Sequence, residues 1–388
     1  MLLQDAATSN FLSWCTARGI ESSLQVQGSH PHRYVSCEKD LQPDNNGNNK
    51  SNNRVPLVRV PLESCLTADS QTALADRLML EKMLGNDSLF APYLEMLPPS
   101  PFDDPTSSLL DMPRFWSDDR LTSISNFDGG QLEERLEATQ YTDEEKLVDE
   151  WALACVKTRS NFLDDGTYAM TPLLDMINHD PTITTKAQVL GRKKKDNNKG
   201  FGKSNTPEDD NNDVVELPYG PVLELSVLDH SFRAGEEVFM SYGDMTNLDT
   251  LCDYGFVAEN NPCNVECLDV RLILSPNPVK VAVLSDGTIA PETLAQLRRM
   301  LATPEELEGK KKDQLDDFLE PLSDNNELES LAFLATELDM SSKDARRGAL
   351  EAATVREDKV VTAYLAARAK TFEQAIEKIK EQYPDLEY

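Results

Sequence analysis

The sequence predicts an α+β protein, with a β-rich part interrupted by a helical stretch and followed by a helical C-terminal region. Two strand-like stretches carry the β reading. RVPLVRVPLESCLT from residue 54 and VVELPYGPVLELSVLD from residue 214 alternate or run apolar and are rich in β-branched residues. The helical reading rests on residues 70–160 and on the chain after about Asn261, where apolar residues recur at helical spacing beside capping signals. The 388 residues, 39% hydrophobic and 27% charged, suffice for about two or three domains with a sizeable core.

Two polar stretches interrupt the β-rich part, DNNGNNKSNN at Asp44–Asn53 and the run from about Gly191 to Asp213. Neither has apolar residues to bury, so both read as surface loop expansions. Within the second, Arg192–Lys195 (RKKK) reads as a solvated loop or as a localisation signal. In the helical stretch, Leu74 and Leu78 mark a helix over Thr72–Leu84, with Gly85 as its stop. Thr142 and Glu145 form a capping box for the helix that follows. On that helix Trp151, Cys155 and Arg159 share one face. The Trp and Cys are expected in the core. Arg159, on the same stripe, needs an anionic partner, either a protein carboxylate or a ligand.

Beyond Asn261 two short strands, VECLDVRLIL and VKVAVLSD, precede helices to the end. Thr303-Pro304-Glu305-Glu306 reads as a helix start. Leu328, Leu331, Ala335 and Leu338 form one helical stripe, and Val361, Tyr364, Leu365, Phe372, Ile376 and Ile379 another.

The charge balance excludes some function classes. Sixty-eight Asp and Glu against 38 Lys and Arg give a net charge of −30. Such a surface repels phosphate backbones and anionic lipids and favours a basic protein partner. No apolar run approaches the roughly 20 residues of a membrane span, and the N-terminus lacks the features of a secretory signal or transit peptide. Seven scattered cysteines read as reduced thiols of a cytosolic or nuclear protein, and Cys263 and Cys267 lack the second pair of a zinc site.

Two segments carry candidate chemistry. PLLDMINHDP at Pro172–Pro181 places Asp175, Asn178 and His179 together after an apolar run, in what reads as a turn. EEVFMSYGDMTNLDTLCDYGFV at Glu236–Val257 ends a strand, Val238–Met240, on Ser241-Tyr242-Gly243. Tyr242 then stands at a strand end with its hydroxyl toward a cavity; alternatively Tyr242 and Tyr254 are half-buried strand aromatics.

These segments resemble the SET-domain protein methyltransferases, specifically the Rubisco large-subunit methyltransferase-like family. Asp175-Met-Ile-Asn178-His179, Ser241-Tyr242-Gly243 and Tyr254-Gly255-Phe256 occur in the family's order. Trp151–Arg159, Ser88–Leu97, Arg114–Trp116, Asn10–Ile20 and Leu268–Gly287 also look like the family. The resemblance implies a SET core of small sheets wound into a knot-like thread, an exception to the unknotted rule. That core would comprise residues 1–69 and 151–260, split by a helical insertion at 70–150 and followed by a helical substrate-binding domain at 261–388. It also implies S-adenosyl-L-methionine (SAM) as cofactor and a lysine side chain of a protein as substrate; histidine methylation also occurs in the family. Tyr242 would be the tyrosine beside the transferred methyl and Tyr254 the second wall of the acceptor channel. Asn178 and His179 would hold the adenosine part of SAM. Arg159 would lie near its carboxylate and the substrate, and Asp175 near the substrate channel.

One stretch departs from the family. Where it carries a Gly-rich cofactor segment, this chain has His30-Pro31-His32-Arg33-Tyr34-Val35-Ser36. The glycines are absent and Pro31 lacks a backbone donor. Either His30, Pro31 and His32 still line the cofactor with Arg33 contributing side-chain contacts, or SAM binding is lost and the chain is an inactive SET-fold binding module. A metal enzyme built on Asp175, His179, Asp180 and His230 is a further alternative, but the resemblance accounts for Asn178 and His179 without a metal. The expected partner is a protein with a basic segment around the target, with no direct nucleic acid and no membrane. The chain is expected to be a monomer in the cytoplasm or nucleus; a plastid location is known in the family.

Overall fold

The computed structural model describes residues 5–28, 33–42, 54–99, 111–191, 220–271, 278–311 and 314–388. The chain packs as two units, one of Met1–Leu109 with Tyr141–Tyr242 and one of Leu110–Gln140 with Gly243–Tyr388. The helices Gln71–Leu84 and Ala91–Leu94 lie in the first unit, and Asp118–Asp128 and Gln131–Ala138 in the second.

The first unit holds eleven strands among the described residues. They are β1 (Glu21–Ser22), β2 (Leu24–Gln27), β3 (Tyr34–Cys37), β4 (Arg54–Pro61), β5 (Leu66–Ala68), β6 (Ser160–Phe162), β7 (Tyr168–Met170), β8 (Asn178–His179), β9 (Thr185–Leu190), β10 (Val222–Leu228) and β11 (Phe239–Met240). They form small sheets in the orders β1-β4-β10-β9, β5-β7-β6, β2-β3 and β11-β8. Both strand-like stretches pair with each other, β4 with β10, antiparallel. β4 buries Val55, Leu57, Val58 and Val60, as its β-branched composition predicts. β10 carries a buried Glu224, which Arg54 at 3.0 Å and Arg59 at 2.7 Å neutralise. A carboxylate in a sheet interior is tolerated only with such partners.

The helix Glu150–Arg159 is buried from Trp151 through Val156, so Trp151 and Cys155 are core residues as expected. Its N-cap is Asp149, not Thr142. The Thr142–Glu145 capping box forms, with both hydrogen bonds present, but it closes only the short turn Glu145–Leu147. The helix Gln71–Leu84 ends where expected, with Gly85 at φ 55°.

In the second unit β12 (Val265–Val270) pairs antiparallel with β13 (Val279–Leu284). Their inner face packs on the helices Pro291–Leu301, Asp324–Glu351 and Lys359–Gln382 through Val281, Val283, Leu334, Leu338, Phe372 and Ile376. The later stripe, from Val361 to Ile379, is buried throughout; in the earlier one Leu331, Ala335 and Leu338 are buried while Leu328 faces solvent. The box at Thr303–Glu306 forms its two hydrogen bonds around a turn, not a helix. Arg368 is buried and pairs with Glu266 at 2.8 Å. Among the described residues no helix is long and apolar enough to cross a membrane.

Candidate active site

The site lies in the first unit and begins with a strained turn. After β7 the chain passes through Thr171–Ile177, where Leu173 takes φ 71° and ψ −43°. A leucine in that region costs about 1–3 kcal/mol. Burial of Leu173, Leu174 and Ile177 in the core holds it there. Asp175 N–H donates to Thr171 O at 3.0 Å, and Ile177 N–H to Leu174 O at 3.2 Å. The turn delivers Asn178 and His179 to β8, so the polar pair expected in a turn is extended backbone instead. β8 runs parallel to β11, with Asn178 opposite Phe239 and His179 opposite Met240. This pairing brings the two candidate segments together.

The Tyr242 hydroxyl donates to the Ile177 carbonyl at 2.8 Å. The Tyr242 N–H donates to His179 Nδ1 at 3.1 Å, and the two rings stack with centroids 5.0 Å apart. Nδ1 accepts this bond only when unprotonated and, 3.3 Å from the Met240 carbonyl, donates to that oxygen when protonated, so the Tyr242 bond requires the neutral ring. Burial favours that state, holding the His179 pKa below its ordinary 6.5 against the opposing Met240 carbonyl and Asp180. Asn178 is exposed and donates one amide hydrogen to Glu237 Oε1 at 2.8 Å.

Arg159 ends its helix beside the turn. Its Nη1 donates to the Asp175 carbonyl at 2.9 Å and lies 3.9 Å from the Asp175 carboxylate. The anionic partner that the sequence demanded is therefore in the protein. Among the described residues Arg159 Nε is buried without a hydrogen-bond partner and Nη2 makes no hydrogen bond. This leaves one two-donor edge of the guanidinium open. The Asp175 side chain is fully buried. Burial pushes its pKa up to about 6, against Arg159 and a hydrogen bond from Tyr93. That bond, from the Tyr93 hydroxyl to Asp175 Oδ2, measures 2.5 Å.

The other candidates fall elsewhere. Tyr254 belongs to the second unit and is the last residue of the helix Asn247–Tyr254, not a strand aromatic. Its ring lies 6.1 Å from that of Phe256. Gly255 caps the helix at φ 78°, and a Cβ there would meet the Asp111 carbonyl. His30, Pro31 and His32 lie outside the described residues. Arg33 is described and donates to Asp5 at 3.0 Å. Among the described residues no three His, Cys, Asp or Glu side chains gather as metal ligands, so the metal alternative finds no assembled centre. Sequence reasoning missed Tyr93, whose only signal is a polar-tipped aromatic in the apolar run SLFAPYLEML. It also missed the Ile177 carbonyl, a main-chain atom with no side-chain signal.

No family model matches the chain. Half of it is similar to actin-histidine N-methyltransferases: 27% identity over 220 residues to the Homo sapiens protein and 25% over 223 residues to that of Callithrix jacchus. The match spans 31% of those relatives' length. A solved SET domain of LSMT bound to lysine and AdoHcy superposes with a TM-score of 0.60 at 17% identity, covering 98% of this chain and 92% of that one. Rubisco LSMT bound to AdoMet superposes with a TM-score of 0.59 at 14% identity, covering 99% and 94%. The chain has the α+β SET fold that its motifs imply, and the resemblance to the Rubisco methyltransferases extends over nearly its whole length.

Proposed function

We propose that this chain is a SAM-dependent protein N-methyltransferase acting on a lysine side chain. The observation that carries the reading is Tyr242, its hydroxyl fixed on the Ile177 carbonyl within a SET fold. The donor set suits the cofactor. The open edge of Arg159 matches a carboxylate, and the rest of the exposed Asn178 amide matches the polar edges of adenosine. Bound there, SAM would supply an electrophilic methyl on a sulfonium, transferred as the amine lone pair bonds to carbon and the C–S bond breaks. The chain's own work is orientation. Because the Tyr242 proton is committed to Ile177, its oxygen faces a substrate as an acceptor. It takes an N–H of the neutral amine and aligns the lone pair. His179 supports Tyr242 from behind through the backbone hydrogen bond and ring stacking.

A second reading, transfer to histidine, is favoured by the actin-histidine relatives. An imidazole also offers an N–H and a lone pair, so the Tyr242 arrangement serves either. The net charge of −30 supports a basic segment around the target. Free thiols at all seven cysteines support a reducing compartment, cytosol or nucleus. A division into a SET core and a C-terminal substrate-binding region in a monomer completes the proposal.

Calorimetric titration with SAM, followed by transfer of labelled methyl into lysate proteins, tests this reading. The expected result is one-to-one binding and transfer that Tyr242→Phe abolishes. No binding by folded protein would instead favour an inactive SET-fold module in which the His30–His32 segment has lost the cofactor. Amino-acid analysis of the labelled product separates methyllysine from methylhistidine.

A further inference from the structure

The proposed chemistry depends on one main-chain atom, the Ile177 carbonyl, and the turn presenting it is entered through a strained residue, Leu173 at φ 71°. Two contacts from distant parts of the chain hold that turn. Arg159 binds its backbone, at the Asp175 carbonyl. Tyr93, 82 residues away in sequence, binds its side chain, at Asp175 Oδ2. Among the described residues Asp175 Oδ1 has no hydrogen-bond partner. Tyr93 thus supplies, among the described residues, the one side-chain hydrogen bond to this carboxylate, and Arg159, 3.9 Å away, is the one cation among them at ion-pair distance. Cys155, Cys15 and Cys65 are the other titratable groups among the described residues that feel its charge, and burial holds all three thiols protonated, with pKa values pushed up to about 12.

We propose that Tyr93 is a positioning residue of the active site: its hydroxyl locks Asp175 and, through the Leu173–Ile177 turn, holds the Ile177 carbonyl where the Tyr242 hydroxyl donates to it. The catalytic meaning of this lock rests on the methyltransferase reading, while the lock itself is a property of the free protein. Tyr93 touches neither cofactor nor substrate in this scheme. Loss of its hydroxyl leaves the ring packed but the carboxylate unsupported, so the cost of ionising Asp175 rises.

The test labels position 242 of the full chain with 3-fluorotyrosine and follows its fluorine resonance against pH. The unmodified background is expected to show an inflection near pH 6 from Asp175, besides that of the stacked His179. Tyr93→Phe should move the Asp175 inflection up by about one pH unit or more and leave that of His179 in place. Asp175→Asn should remove it. An unmoved inflection in Tyr93→Phe, or one that survives in Asp175→Asn, overturns the proposal, and the second variant decides alone if the first does not fold. In parallel, Tyr93→Phe is expected to lower kcat about ten-fold, a loss of the size expected when a supporting hydrogen bond is removed, with SAM affinity unchanged. If no variant and no parent transfers methyl, the functional reading fails, and the fluorine titration still decides the role of Tyr93.

Discussion

The Tyr242 hydroxyl and the Ile177 carbonyl, 2.8 Å apart, join two segments 65 residues apart in sequence. Tyr242→Phe removes this bond. Methyl transfer is expected to fall about 100-fold or more, with SAM affinity within two-fold and stability lower by about 1 kcal/mol. Single-turnover transfer beside calorimetric binding checks it; equal rates would remove Tyr242 from the reaction.

His179 must be neutral to accept the Tyr242 N–H. Its pKa lies below the ordinary 6.5 because burial penalises the charge. A depressed folded value means that the arrangement is intact above pH 6.5 and is lost as pH falls through the folded pKa. SAM affinity should weaken below that point. His179→Phe, which keeps the stacked ring, should remove this acid limb and cost about 1–2 kcal/mol of stability. Binding isotherms from pH 5 to 8 decide it.

Asp175 titrates the opposite way. Its folded pKa is raised from 3.8 to about 6 by burial. The stabilisation is present below pH 3.8 and disappears as pH rises through about 6. Asp175→Asn should therefore gain about 3 kcal/mol relative to the parent between pH 3 and 8, at 1.36 kcal/mol per pKa unit. Denaturant midpoints at the two pH values measure it; a constant difference would mean that Asp175 does not titrate near 6.

Gly255, at φ 78°, lies against the Asp111 backbone; an added Cβ would stand 2.8 Å from the Asp111 carbonyl carbon. Gly255→Ala combines backbone strain with a collision against main chain, so it should destabilise the second unit by at least about 2 kcal/mol. Chemical denaturation followed by fluorescence of Trp116, which lies in that unit, reports this loss.

Much of the fold and part of the site can be read along the chain. The β4 and β10 stretches, the helix containing Trp151 and Cys155, and the long C-terminal helices follow from apolar period, because burial of a strand face or helix stripe leaves a local record. Local signals mislead where the cap is real but no helix follows, as at Thr142 and Thr303. A capping box satisfies a turn as well as a helix, and only packing beyond it extends the helix. The motifs at Asp175–His179 and Ser241–Gly243 mark two segments that the fold pairs, and the sequence marks Arg159 as a buried cation in need of a partner. What only the tertiary structure decides is how these pieces meet. Parallel pairing of two-residue strands carries no periodic signal, and the acceptor of the Tyr242 proton is a main-chain oxygen. The partner of Asp175 is a tyrosine from a distant helix. Such contacts depend on long-range geometry, which residue types alone do not encode.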